Sequence, residues 1–343
     1  MIDNFTICVG TVGSGVFSSH DGGVTWAQGV MKMPYPPWAP WIQVRAVTAS
    51  PHRQGMFLAG SDVGLHASHD NGKTWEFLNT PADRHQIWSI TFHPTDPDII
   101  LVGVAPFETG VNIVRTEDGG KSWTIPDLPA PNRSIVGATH ITSILFDPRD
   151  SGMVWATCEL GGLYQSSDTG KTWRQSTEKL GERAFAGDIH SVSVTPKGRI
   201  FATSPEGLWI SDDDAYSFTL HQFPPFPEPE PAGAADGITA YCRGIAQKSD
   251  DPNVILIGTG DYTPGKIGAI QRSANGGDSW DPAVLSHSPN SHFYHIATHS
   301  GQPDLMVAAT FFGYVYVSRD AGLTWAKLQR EFGEIRGLAW APN

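Results

Sequence analysis

Nowhere in this 343-residue sequence do about 18 apolar residues follow one another, so no segment reads as a membrane-spanning helix. Basic residues are scarce: 23 Lys and Arg stand against 35 Asp and Glu, for a formal charge of -12. Nucleic-acid binding needs clustered cations that release counterions, and an anionic bilayer also attracts basic segments, so neither partner is expected. Cysteine is scarcer still. Cys8, Cys158 and Cys242 lie in apolar strand contexts without a C-x-x-C pair, and read as small buried hydrophobes, not a disulfide frame or a zinc cage. A phosphate loop, a dinucleotide fingerprint and a G-x-S-x-G elbow are all missing. The start, Met1-Ile2-Asp3-Asn4, lacks the basic-then-apolar profile of a secretory signal, so the expected location is the cytoplasm.

What the sequence has is repetition. A phrase Ser-x-Asp-x-Gly-x-Thr/Ser-Trp returns at Ser19 to Trp26, Ser68 to Trp75, Ser166 to Trp173 and Ser318 to Trp325. Worn copies run from Thr116 to Trp123, from Ser273 to Trp280 with Asn275 for the aspartate, and from Ser211 to Phe218 with Ala215 for the glycine. Self-similarity at a period of roughly 40 to 50 residues marks an array whose units cannot bury their apolar faces alone. One phrase means one blade. The wider gap between the fifth and sixth copies reads as an insertion into a loop.

Each unit contains four short strands, with the phrase turning the third into the fourth. Ile335 to Trp340 is a first strand with nothing after it, and Phe5 to Val9 a second strand with nothing before it. Pairing them closes the ring and removes its free edges. The expected fold is an all-β, seven-bladed propeller over residues 1–343 as one domain, with both termini sharing a blade. The aspartates of the phrase read as turn staples: Asp accepts from turn amides, Gly permits positive φ, and Trp packs between sheets.

These phrases resemble the Asp-box, or BNR repeat, of sialidases, xyloglucan-active glycosidases, sortilin-type receptors and a photosystem II assembly factor. The resemblance implies a propeller across nearly the whole chain. It does not carry over the sialidase arginine triad or tyrosine nucleophile, because the Arg-Ile-Pro near the start is missing and seven units exceed that family's six. Size and blade number are closer to the assembly-factor type.

Loops that follow the second strands, and residues at the start of the first strands, meet at one mouth of a propeller channel. After the second strands come Asp62, Glu108, Glu159, Glu206 and Asp261, with Phe311 and Phe312 in the last full unit. At or just before the first strands come Gln43 and Arg45, His85 and Trp88, His140, Asp188 and His190, Tyr241 and Arg243, His292 and His295, and Glu334 and Arg336. Carboxylates crowded at one mouth repel unless cations or raised pKa values compensate, a pattern typical of functional sites.

Three chemistries fit. The first is a glycoside-hydrolase-like enzyme acting on an oligosaccharide or other polyhydroxylated ligand. Glu159 and Glu206 are its catalytic pair, with Asp62 and Asp261 in reserve, and no cofactor is expected. Arg45, Arg243 and Arg336 would hold an acidic sugar, with Tyr241, Glu108 and the aromatic loop residues Trp38 and Trp41 also contacting substrate. The second is a metal-dependent hydrolase or lyase with a divalent metal held by His85, His140, His190, His292 and His295. The third is a non-catalytic scaffold for a protein partner, presented by the proline-rich stretch from Phe223 to Pro231.

Overall fold

The computed structural model describes residues 4–33, 42–107, 110–131, 133–134, 137–183, 185–226 and 240–343. Seven antiparallel sheets form the blades of a β-propeller. Blade 1 is closed by the chain ends: Ile335–Pro342 lies against Phe5–Thr11, with Phe5 opposite Pro342 and Ile7 opposite Trp340. Gly15–Ser19 and Ala27–Gln28 complete it. Blade 2 runs Val44–Ala49, Phe57–Ser61, Leu65–Ser68, Thr74–Leu78, and blade 4 runs Ile141–Asp147, Asp150–Cys158, Gly162–Ser166, Arg174–Thr177. Blade 5 runs Ser191–Val194, Ile200–Ser204, Gly207–Ser211, Thr219–His221, and blade 6 runs Tyr241–Lys248, Asp251–Gly260, Gly268–Ser273, Asp281–Pro282. Blade 7 runs Phe293–Thr298, Met306–Thr310, Val315–Ser318, Thr324–Lys327. Blade 3, with Gln86–Phe92, Ile100–Phe107 and Gly110–Thr116, keeps only an isolated bridge, Arg115 to Thr124, in place of its outer strand.

Two short segments were not visible as strands in the sequence. Val30–Met31 leaves blade 1 and adds in parallel to Thr74 and Trp75 of blade 2, and Val284–Leu285 does the same from blade 6 to blade 7. The segment that follows Thr219–His221 and contains the proline-rich stretch joins blade 5 to blade 6, as expected of a loop insertion.

The core is divided among the contacts between blades. Each of seven buried apolar clusters takes its members from two consecutive blades. Cys8 and Val16 of blade 1 pack with Phe57 and Trp75 of blade 2, and Phe5, Ile7 and Trp340 of blade 1 pack with Val307 and Val317 of blade 7. Full burial of such side chains contributes about 1.5–3 kcal/mol each. Where the blades converge there is room only for glycine: a Cβ on Gly60 would stand 2.2 Å from the Ile87 side chain of the next blade.

The repeated phrase fastens these contacts. In blade 2, the Lys73 and Thr74 amides donate to Asp70 Oδ1 at 3.1 and 2.9 Å, and the Thr74 hydroxyl donates to Oδ2 at 2.6 Å. The Gly72 amide donates to Ser68 Oγ at 2.9 Å, and Trp75 Nε1 donates to the Gly72 carbonyl at 3.0 Å. The network fixes Asn71 and Gly72 at φ of 62° and 82°, which seats Gly72 on blade 1. A Cβ there would stand 2.6 Å from Cys8 Sγ. In blade 5, Ala215 takes the glycine's place and keeps the left-handed φ, at 68°.

Two outcomes are expected. Gly72→Ala loses about 2–3 kcal/mol in urea unfolding, from left-handed strain and overpacking, and the Gly72→Ala/Cys8→Ala double variant loses less than the sum of the singles. The Ser122 and Ser217 hydroxyls and amides hold the Asp118 and Asp213 carboxyls down at about 2, below the ordinary 3.8. Between those values the unfolded chain binds more protons, so stability present above pH of about 4 is lost on acidification to about 2. Thermal unfolding scans across that range check it.

Candidate active site

In six blades the first strand carries a β-bulge at the same place, near its start. Register skips Arg336 in blade 1, Arg45 in blade 2, Trp88 in blade 3, Thr142 in blade 4, Arg243 with Gly244 in blade 6, and Tyr294 in blade 7. In blade 5 the corresponding place belongs to His190, whose amide donates to the Thr203 carbonyl at 2.9 Å. Bulges re-aim side chains, and here they surround one end of the axis with chemistry. Sequence reasoning missed this device; its trace is the mid-strand glycine of the second strand in Gly10, Gly60, Gly103 and Gly258.

A cleft of about 430 Å³ opens at this end. Trp88, Phe185, Tyr262, Pro264 and Phe311 form apolar walls, and Glu159, Asp188, His190, Tyr241, Arg243 and Arg336 supply its polar groups. A hollow of about 410 Å³ at the far ends of the first strands is lined by Thr48, Thr91, Thr298, His299 and Trp340 among others, with no carboxylate, lysine or arginine. Of these two hollows, only the first gathers carboxylates and arginines among the described residues.

The cleft is electrically divided. On the side of blades 4 and 5, Glu159 Oε2 accepts from His140 Nδ1 at 2.5 Å, and His140 stacks on Trp88 with ring centres 4.0 Å apart. Burial works to raise the Glu159 carboxyl, but the His140 hydrogen bond and the charge of Arg243 overcome it and hold the group at about 2. Asp188 Oδ1 stands 3.3 Å from His190 Nε2. It is buried and has no hydrogen-bond partner. His190 Nδ1 lies 3.1 Å from the Cys242 carbonyl, to which it donates, and Nε2 lies 3.4 Å from the Tyr241 hydroxyl. One ligand atom each from Glu159, Asp188 and His190 lie within 4.8 Å of one another.

On the side of blades 6, 7 and 1, Arg243 is buried and donates to the hydroxyls of Tyr241 and Tyr294 at 3.0 and 2.8 Å. Arg336 donates to the same Tyr294 oxygen at 3.2 Å and pairs with Glu334. Burial opposes ionisation of Tyr294, yet the two guanidiniums bring its hydroxyl below the ordinary range.

The remaining expected site residues are placed elsewhere. Glu206 does not line the cleft with Glu159: it is buried behind Pro205, with Oε1 accepting the Phe185 amide at 3.2 Å and Oε2 without a partner. Burial raises its carboxyl. The acid that joins Glu159 in the cleft is Asp188. Asp62 ties two loops of blade 2, accepting the Gln43 amide at 3.1 Å. Asp261 accepts the Lys266 and Ile267 amides at 3.0 and 3.3 Å, stapling its own loop. Arg45 lies over Trp88 at 4.5 Å and supports that ring from outside the cleft lining.

The five histidines are not gathered as a set. Among them only His190 joins the carboxylate cluster found among the described residues. His140 braces Glu159, and His85 Nδ1 bonds the Asp83 carbonyl at 2.8 Å. His292 donates to the Pro264 carbonyl at 3.0 Å and His295 to the Arg336 carbonyl at 2.7 Å, and burial lowers them to about 3 and about 4. Both are neutral pins near neutral pH. Trp38, Trp41, Glu108 and the stretch from Pro227 to Pro231 lie outside the described residues.

No family model matches the chain. Over 284 residues, 70% of its length, it is 23% identical to a probable oligoxyloglucan-reducing end-specific xyloglucanase of Neosartorya fischeri, and it spans 33% of that protein. Among solved structures, the GH74 enzyme of Niastella koreensis superposes with a TM-score of 0.56 at 14% identity, covering 97% of this chain and 66% of that one. YCF48 from Cyanidioschyzon merolae superposes with a TM-score of 0.57 at 17% identity, covering 84% and 87%. The likeness is one of fold. A structure named as an enzyme and one not so named share the fold, so chemistry must be argued from the cleft.

Replacing His140 with Phe keeps a ring against Trp88 and removes the hydrogen bond to Glu159. The Glu159 carboxyl then rises from about 2 by about one pH unit or more, read by carbon NMR of labelled glutamate. An unchanged titration would show that His140 does not hold this charge.

Proposed function

We propose that this propeller is a glycoside hydrolase whose axial cleft takes a sugar ring between Trp88, Tyr262 and Phe311. Glu159 and Asp188 flank the linkage that is cut. The observation that carries the reading is their approach: oxygens of both carboxylates lie within 4.8 Å, beside apolar walls. An approach this close favours double displacement with retention, for which the two carboxyl groups stand about 5 Å apart, over the wider spacing that an inverting enzyme keeps for its water. Glu159, kept ionised by His140 and Arg243, is the nucleophile, and Asp188 is the acid and then the base. Aromatic faces suit the apolar face of a sugar, and the tyrosines and arginines suit its hydroxyls. The glycosidase name of the curated relative, and that of the GH74 structure, support the class.

A specific observation also favours a second reading. His190 Nε2 and Asp188 Oδ1 face each other at 3.3 Å, and His190 Nδ1 donates to the Cys242 carbonyl. A divalent cation between them and Glu159 would satisfy both, and a metal-bound His that donates its other nitrogen to a carbonyl is the usual arrangement.

Against a panel of oligosaccharides, Glu159→Gln and Asp188→Asn each lower kcat by about a thousandfold, and proton NMR of the first product shows the retained anomer. Products of inverted configuration would remove the double-displacement assignment. Metal analysis of the purified protein separates the readings: one equivalent of metal, with activity lost to a chelator, transfers Glu159 and Asp188 to metal ligation.

A further inference from the structure

The cationic side of the cleft is met in direct contact by phenol hydroxyls, and Glu159 reaches Arg243 through its field and not through a contact ion pair. Arg243 is 9% exposed and lines the cleft, and it donates to phenol hydroxyls, at 3.0 Å to Tyr241 and 2.8 Å to Tyr294. Among the described residues no carboxylate forms an ion pair with it at 4.0 Å or less. Arg336 shares the Tyr294 oxygen at 3.2 Å, so one hydroxyl accepts from two guanidiniums. Its own acid, Glu334, is a near neighbour in sequence at the rim. Two guanidiniums drawn onto a single phenol, one of them nine-tenths buried and neither touched by a carboxylate from inside the cleft, are arranged to take an anion by direct hydrogen bonds.

The anion must fit beside the acids across the same cleft. Phe311 lies 4.5 Å beneath the Arg336 guanidinium, so a flat group on the arginines continues onto an apolar face. Opposite stand Glu159 and Asp188, which exclude a second negative charge near themselves. A ligand that satisfies both sides is negative at one edge and neutral at the bond to be broken.

We infer that the cleft selects an acidic sugar of the uronic-acid class, its planar carboxylate held by Arg243 and Arg336 and its glycosidic linkage turned toward Glu159 and Asp188. In such a ring the anomeric carbon and the carbon that bears the carboxylate flank the ring oxygen, so one sugar reaches both sides. The guanidinium fork matches a carboxylate with two parallel hydrogen bonds, whereas a neutral sugar offers hydroxyls that leave the cationic charge in place. The inference rests on the glycan reading of the cleft.

Calorimetry on the full chain at low salt, with sodium glucuronate, glucose and sodium acetate as probes, tests it. Glucuronate binds at least about tenfold tighter than glucose, and Arg336→Gln brings glucuronate to within about twofold of glucose. Arg243→Lys, which keeps the buried charge and loses the fork, weakens glucuronate by about tenfold while its thermal unfolding stays cooperative. Equal affinity for glucose and glucuronate overturns the inference, as does acetate binding as tightly as glucuronate, which marks an adventitious anion site only. Hydrolysis of neutral oligosaccharides without any glucuronate preference removes the acidic subsite and leaves the hydrolase. Tight glucuronate binding without hydrolysis of any glycan does the reverse.

Discussion

A blade of three or four short strands has two apolar faces and nothing of its own to cover them. Each face is covered by the neighbouring blade, and that mutual dependence is the constraint from which the rest follows. Trp75 is buried against Cys8 and Phe57, and Trp340 against Phe5 and strands of blade 7, so no unit is stable by itself and the ring is stable only when closed. The aspartate turns serve this arrangement. Each holds two successive residues at left-handed φ so that the turn lies flat on the preceding blade, and the bonds are local enough to form before any blade contact does.

The same radial packing creates the cleft. First strands crowd the axis, their pairing with the second strands skips a residue, and three of the skipped residues, Trp88, Arg243 and Arg336, line the opening. Charge then sorts by blade. Blades 4 and 5 bring Glu159 and Asp188, with His140 and His190 as their braces, while blades 6 and 1 bring Arg243 and Arg336 around the hydroxyl of Tyr294. Arg243 serves both halves: its charge helps keep Glu159 ionised although the two form no direct pair.

The architecture was legible because its signals are local. Ser68, Asp70, Gly72, Thr74 and Trp75 specify one turn within eight residues, and the orphan strands at the two ends specify each other. The site was legible only in part, because position along a loop does not determine where a carboxylate points. Asp62, Glu159, Glu206 and Asp261 occupy matching places after second strands. Yet Asp62 and Asp261 are consumed by nearby amides and Glu206 turns under Pro205, leaving Glu159 alone of the four in the cleft. Asp188, two residues ahead of His190, reads in the sequence only as one more polar residue at a first strand, because its value depends on Glu159, a residue of another blade. Bulges are equally hidden, since register is a property of two strands together.

Closure through Phe5 and Pro342 joins residues separated by almost the whole polypeptide. Bringing ends so distant together has an entropic penalty of about 5 kcal/mol beyond a constant, which no local turn helps to offset. A ring open at blade 1 is what the loss of this one pairing would leave. In it Phe5–Thr11 presents an unpaired edge of apolar strand, the kind of surface that captures a second molecule as readily as its own tail. The clasp that makes the ring durable is also the point at which two rings, caught half-made, would exchange strands.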